Sequence, residues 1–164
     1  MASLACCAGT VDSGTPTGSV LAIGGISCYV ACRSVTVEGD RITSCSANRA
    51  VVIATDIFGY KLSNGRLLAD QFATAGYVAV VPDLFNGNEV PPAGMHTVDA
   101  LVGPDASNAS LFAKGAAVAN YPGVAHGFAI RGDWTDPNVA DKRQQALQNA
   151  ITFFSAVLGD PTGT

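Results

Sequence analysis

Apolar and polar positions change rhythm several times along this chain. Over residues 19–37, "SVLAIGGISCYVACRSVTV", apolar side chains alternate through Val20, Ala22, Ile26, Cys28, Val30, Val35 and Val37. A period of two is that of a strand with one buried face, and Gly24-Gly25 supplies a tight turn between two such strands. An N-terminal β-hairpin is expected. Residues 38–49, "EGDRITSCSANR", are polar and read as an exposed loop. Alternation then gives way over 50–59, "AVVIATDIFG", to a continuous apolar run, the pattern of a parallel strand covered on both faces.

Ser63 or Asn64 is suited to cap a helix whose Leu67, Leu68, Phe72 and Ala75 share one stripe, with Gly76 closing it. Residues 77–85, "YVAVVPDLF", read as a second buried strand. Strand, helix and strand on short connections predict a right-handed βαβ unit and a sheet parallel at its centre. Over 86–110, "NGNEVPPAGMHTVDALVGPDASNAS", no period holds, and the stretch reads as loop with one helical turn in "TVDALV". Residues 116–122, "AAVANYP", predict a strand. Asp136 and Pro137 predict the cap and first residue of a last helix. Leu147, Ile151, Phe154, Val157 and Leu158 form its buried face, and Gly159 ends it. No internal repeat is visible.

At 164 residues the chain is long enough for one domain with a real core and short for two. Hydrophobic residues make up 48% and charged residues 13%, a globular rather than a disordered balance. The net charge of −4, with scattered lysines and arginines, argues against nucleic-acid and anionic-membrane partners. No apolar run approaches the roughly 18 residues that span a bilayer. The opening "MASLACCAGT" lacks a basic region and a long apolar stretch, so a signal peptide is not expected. Five cysteines, Cys6, Cys7, Cys28, Cys32 and Cys45, lie in the first 45 residues, with no histidines at zinc-ligand spacing. Cys28 and Cys32 make a C-x₃-C without a second pair, a weak metal or redox signal. Reduced thiols in a cytoplasmic protein, with no metal and no cofactor, are the expectation.

Candidate chemistry centres on "YPGVAHGFAIRGD", 121–133, where His126, one of two histidines, stands among small residues ahead of a helix. Such an imidazole suits a general base on a loop. Its structural alternative is a surface histidine. Asp56, ending a buried strand, suits a carboxylate at a site or a cap for the next segment. Asp83, after Pro82, suits loop hydrogen bonds. His96 reads as solvent-exposed.

Three blocks, "GTPTGSVLAIGGISCYVA", "AVVIATDIFGYKLSNGRLLADQFATAGYVAVVPDLFNGNEVP" and the histidine loop with its helix, resemble the dienelactone hydrolase family of the α/β-hydrolase superfamily, fungal members above all. The resemblance runs over roughly 6–92 and 112–158. It implies a Cys-His-Asp triad that hydrolyses small lactones and carboxylic esters without a cofactor. His126 matches the triad histidine. Asp56 matches an acidic residue, often glutamate, that contacts the nucleophilic cysteine at rest. Ile57 matches the position whose backbone N–H helps form the oxyanion hole, and Arg131 resembles an arginine near the substrate end.

One motif of that family has no counterpart. The nucleophile elbow, G-x-C-x-G, belongs between "PDLF" and the histidine loop, yet no cysteine follows Cys45 and no G-x-S-x-G replaces it. About 40 residues separate Phe85 from His126, where a nucleophile strand, two helices and an acid strand belong. Complete folds of this type need roughly 200 residues or more. The expected fold is therefore a truncated α/β-hydrolase in a single domain, 1–164, with 86–110 as the junction. Cys28 and Cys32 fall in the hairpin, away from the active edge. Cys6 and Cys7 match a family pair without a triad role. Ser107 and Ser110 lack elbow glycines, and Asp105 does not align as the triad acid.

Three readings result: a lactone or ester hydrolase by descent whose usual nucleophile is missing, a proton-transfer enzyme that uses His126 and Asp56 on a small lactone or enol, and a binding protein that kept the cleft. A sheet shortened in this way exposes apolar edges, so self-association is expected unless the remaining elements close up.

Overall fold

The computed structural model describes residues 9–39, 41–90, 121–125 and 127–159. In chain order these form β1 (Ser19–Ile23), β2 (Ile26–Ala31), β3 (Val35–Glu38), β4 (Arg41–Cys45), β5 (Ala50–Val52), α1 (Ser63–Thr74), β6 (Val78–Pro82), α2 (Phe128–Arg131) and α3 (Pro137–Leu158). They fall into two compact units, Val11–Pro92 with Phe154–Thr164, and Met1–Thr10 with Ala93–Phe153.

In the first unit the alternating stretch becomes the β1–β2 hairpin, with Gly24 and Gly25 both at positive φ (61° and 83°). Two successive left-handed residues are what a tight hairpin turn requires, and glycine adopts them without strain. The described sheet runs β1-β2-β6-β5. β5 and β6 pair in parallel, whereas the two middle strands, β2 and β6, pair antiparallel. Among the described residues the sheet is thus mixed, which corrects the expected parallel centre. A βαβ unit does join β5 to β6 through α1, but the hairpin strand beside it runs the other way.

The period of two sorts side chains onto two faces. Tyr29, Ala31, Val51, Ala79 and Val81 are buried on the side of α1. On the other side Leu21, Cys28 and Val30 pack with Val78, Val80, Val37 and Ile42. The last two come from a second hairpin, β3–β4, in which Val37 faces Ile42. Residues 38–49 are therefore not a loop: β4 lies within them. Its single inward apolar side chain, Ile42, left too little alternation to read. Val51 is 5% exposed but Val52, on the opposite face, is 67% exposed. Among the described residues β5 is therefore covered on one face only, that of α1.

α1 meets the sheet through Gly65, Ala69, Phe72 and Ala73, all buried. This stripe is rotated from the expected one: Leu67, Leu68 and Ala75 are half-buried, because small residues allow the closer helix–sheet approach. Neither Ser63 nor Asn64 caps the helix, whose N-cap is Leu62 without a side-chain bond. Their side chains instead hold the preceding arm. Ser63 Oγ donates to Asp12 C=O (2.8 Å) and Asn64 Oδ1 accepts the Asp12 N–H (3.0 Å). Gly76, at φ 98°, ends the helix as expected.

Cys32 and Cys45 form a disulfide, with Cα atoms 6.6 Å apart, that ties the end of β2 to the end of β4. This overturns the reading of reduced thiols for that pair. Tertiary pairing brings the two residues together, and nothing in their spacing announces it. Cys28 remains a free, buried thiol.

In the second unit Tyr121 packs on Phe128 at the start of α2 (5.3 Å between ring centroids), and the Arg143 guanidinium lies 3.4 Å from the centre of the Trp134 ring. Asp136 caps α3 as expected: its Oδ1 accepts the Asn138 N–H (2.8 Å), with Pro137 in the first helical position. The last turn of α3 belongs to the first unit, where the Phe154 ring meets Phe72 and Tyr77 edge-on and Ser155 Oγ lies 2.9 Å from Tyr77 Oη. Gly159, at φ 81°, follows the helix end. No residue of α3 is fully buried. Leu147, Ile151, Phe154 and Leu158 are half-buried and Val157 is 63% exposed, so the expected buried face is covered only in part. The expected helical turn at 97–102 lies outside the described residues, as does most of the expected strand at 116–122, whose described end, Tyr121 and Pro122, is not part of a strand.

Candidate active site

Where β5 ends, the Ile53 N–H still donates to Val80 C=O (2.9 Å), and the chain then leaves the sheet and turns at Asp56. Asp56 Oδ1 accepts the Phe58 N–H (3.1 Å), and Asp56 C=O accepts the Gly59 N–H (3.0 Å). A carboxylate bonded to the amide two residues on is an Asx-turn. Ile57 C=O accepts the Val90 N–H (2.8 Å), so the loop after β6 lies against this turn. Phe58, 2% exposed, anchors it in the core. Among the described residues no hydrogen bond is made to the Ile57 N–H. Asp56 itself is exposed. The arrangement presents a backbone donor beside a carboxylate at the C-terminal end of a parallel strand pair, the end at which open α/β sheets place ligands. A fixed N–H of this kind can receive a carbonyl oxygen as negative charge develops on it.

Two residues that the sequence did not single out complete the geometry. Glu89 stands over Gly59, where a Cβ would meet Glu89 Cβ at 2.5 Å. Its carboxylate takes the Lys61 ammonium at 2.6 Å. The Glu89 side chain is 9% exposed and that of Lys61 52%. Hydrogen bonding to Lys61 holds the Glu89 carboxyl below the usual carboxylate range, and the same bond raises Lys61. Glu89 sits in the stretch 86–110, read as loop because no period holds there.

His126 lies outside the described residues, as do His96, Asp105, Ser107, Ser110, Cys6 and Cys7. Arg131 closes α2 in the other unit and is 6% exposed. Its C=O accepts the Thr10 N–H (2.8 Å), and two glycines make room for it: a Cβ at Gly9 would meet Arg131 Cβ at 2.7 Å, and one at Gly127 would meet a guanidinium nitrogen at 3.1 Å. Asp83 makes the loop bond expected of it, accepting the Phe85 N–H (3.1 Å).

None of the described cysteines is a ready nucleophile. Cys32 and Cys45 are bonded to each other. Cys28 is 4% exposed, its Sγ lies 3.4 Å from Ile26 C=O, and burial pushes its thiol up, away from the reactive thiolate. Among the described residues no three His, Cys, Asp or Glu side chains gather as metal ligands. No described helix is long and apolar enough to cross a membrane.

The turn lies inside a segment that matches a known family. Residues 41–114 match the dienelactone hydrolase family, whose members have an α/β-hydrolase fold. The match contains Asp56, Ile57, Lys61 and Glu89 and runs on through the stretch read above as a junction. His126 and Arg131 lie beyond it. The chain is similar to the hydrolase pyvD of Aspergillus violaceofuscus, 37% identical over 89 residues (54% of this chain, 33% of the relative). It is 39% identical over 95 residues to the hydrolase tropI of Talaromyces stipitatus (56% of this chain, 34% of the relative). A shorter stretch of 49 residues is 51% identical to a carboxymethylenebutenolidase homolog of Rattus norvegicus (29% of this chain, 20% of the relative). The matched stretch thus spans about a third of the length of the two fungal relatives. No solved structure matches the chain.

Proposed function

We propose that the chain carries a dienelactone-hydrolase-like site for small lactones or carboxylic esters. In this reading the Ile57 N–H receives the substrate carbonyl oxygen, Asp56 stands beside it, His126 is the base and Arg131 binds the far end of the substrate. The observation that carries the reading is the Asp56–Gly59 turn: its backbone is held at three points while, among the described residues, the Ile57 N–H makes no hydrogen bond, inside the segment that matches the family.

The state of the described cysteines favours proton transfer over covalent hydrolysis. With Cys28 buried and Cys32 bonded to Cys45, His126 would take a proton from the carbon next to a bound lactone carbonyl. The C–H electron pair would form the C=C bond of an enolate while the C=O π pair moves onto the oxygen, whose charge the Ile57 N–H stabilises. NMR on the full chain tests both steps. Adding δ-valerolactone is expected to shift the Ile57 amide resonance, and in D₂O to exchange the lactone α-hydrogens faster than buffer does. His126→Ala should slow that exchange by about 10² or more, and His96→Ala should leave it unchanged. An Ile57 amide indifferent to lactone and ester would sink the site. Ester hydrolysis abolished by alkylation of Cys28 would sink the proton-transfer step instead.

Self-association is supported by exposed apolar side chains on the sheet unit, Val52, Val20 and Ile26. Sedimentation across a hundredfold concentration range is expected to show it, and a concentration-independent monomer would rule it out.

A further inference from the structure

We infer that the Lys61–Glu89 ion pair is a latch: it holds the 86–90 loop against the Asp56–Gly59 turn and so positions the Ile57 N–H. The inference rests on the proposed role of that N–H only for its functional meaning. Its geometry stands apart from it.

The peptide between Ile57 and Phe58 is held at both ends. Its N–H donates to Asp56 Oδ1 and its C=O accepts the Val90 N–H. Val90 follows Glu89, so whatever holds Glu89 holds that donor. Glu89 is held twice, by the Lys61 ammonium at 2.6 Å and by packing on Gly59, a residue at φ 68° with no side chain to obstruct it. Lys61 lies two residues beyond Gly59 on the turn side. The ion pair therefore closes a ring that runs from the turn through Lys61, Glu89 and Val90 back to Ile57. With the 57–58 peptide pinned, the preceding N–H has little freedom to reorient.

The pair is also unequal. Glu89 is well covered, and its second oxygen, Oε2, makes no hydrogen bond among the described residues. A covered carboxylate deprived of its cation is worse off than a neutral amide in the same place. Lys61→Met should therefore open the latch further than Glu89→Gln. Both side chains lie outside the Asp56-Ile57 pair, so their role is one of positioning rather than chemistry.

Residue-resolved amide exchange on the full chain tests the latch without any substrate. Glu89→Gln is expected to speed exchange at Phe58 and Val90 about tenfold, and Lys61→Met by more, while Ala79 and Val81 in β6 keep their rates. The charge-reversed double variant, Lys61→Glu with Glu89→Lys, is expected to restore protection. Unchanged rates at Phe58 and Val90 would overturn the inference. So would rates that rise in step with those of Ala79 and Val81, or a double variant no better than the single ones. Failure here leaves the lactone reading intact, and failure of lactone binding leaves the latch intact.

Discussion

Asp56-Ile57-Phe58-Gly59 and Asp83-Leu84-Phe85-Asn86 leave the neighbouring strands β5 and β6 with the same local design. In each, the aspartate carboxylate accepts the N–H two residues on at 3.1 Å. In each, the fourth residue is left-handed, φ 68° at Gly59 and 50° at Asn86. Glycine and asparagine are the residues that tolerate this conformation best. Their surroundings differ. Phe58 is 2% exposed whereas Phe85 is half-buried, and Ile57 is half-buried whereas Leu84 is 54% exposed. Glu89 stands over Gly59, while a Cβ at Gly87, after the second turn, would meet nothing within 4 Å. Two equal local signals become a clamped turn and an open one.

The contrast is sharpest at the aromatic anchors. Phe58→Ala should cost about 3–5 kcal/mol of stability, the usual range for removing a buried ring. Leu84→Ala should stay within about 0.5 kcal/mol, as exposed positions do. Urea denaturation of the two variants measures the gap, and similar midpoints would erase the distinction. Next comes the fourth position. Gly59→Ala forces a side chain into the left-handed region and against Glu89, and should cost about 2 kcal/mol. Asn86→Gly should shift stability by a few tenths of a kcal/mol. Equal losses would mean that Glu89 yields without cost.

The acid and base limits of the clamp are a smaller, local effect. Glu89 has a depressed folded pKa, so its contribution is complete above the unfolded value of about 4.3 and is lost as pH falls through the folded one. Lys61 has a raised one, so its contribution is complete below about 10.4 and is lost as pH rises through the folded value. Exchange protection at Val90, corrected for the intrinsic rate, should be flat across neutral pH and fall at both extremes. In Glu89→Gln the acid limb should disappear. A step between about pH 6 and 8 would point to a different titrating group. Least disturbing of all, iodoacetamide should leave Cys28 unlabelled in the folded protein, because the thiol is buried and its pKa raised. Mass spectrometry reads this directly, and stoichiometric labelling before unfolding would contradict the burial.

What could be read without coordinates was written within a few residues. Gly24-Gly25 makes the hairpin turn, Gly76 and Gly159 stop their helices, and Asp136-Pro137 starts α3, because each signal acts through its own dihedral angles or an adjacent amide. Asp56 was open to reading as a cap for the segment after its strand, and it does accept the Phe58 N–H, whereas Ile57 entered only through the resemblance. Tertiary structure decided what those pieces face. β2 beside β6 makes the middle of the described sheet antiparallel, and β3–β4 covers one face as far as Val30 and Val80 but leaves Val52 open. Cys32 reaches Cys45 only because strands distant in the pattern lie together. Lys61 and Glu89 are 28 residues apart, and neither carries a periodic or capping signal. Burial and ion pairing depend on which surfaces meet, and no local signal at Glu89 marks Lys61 as its partner.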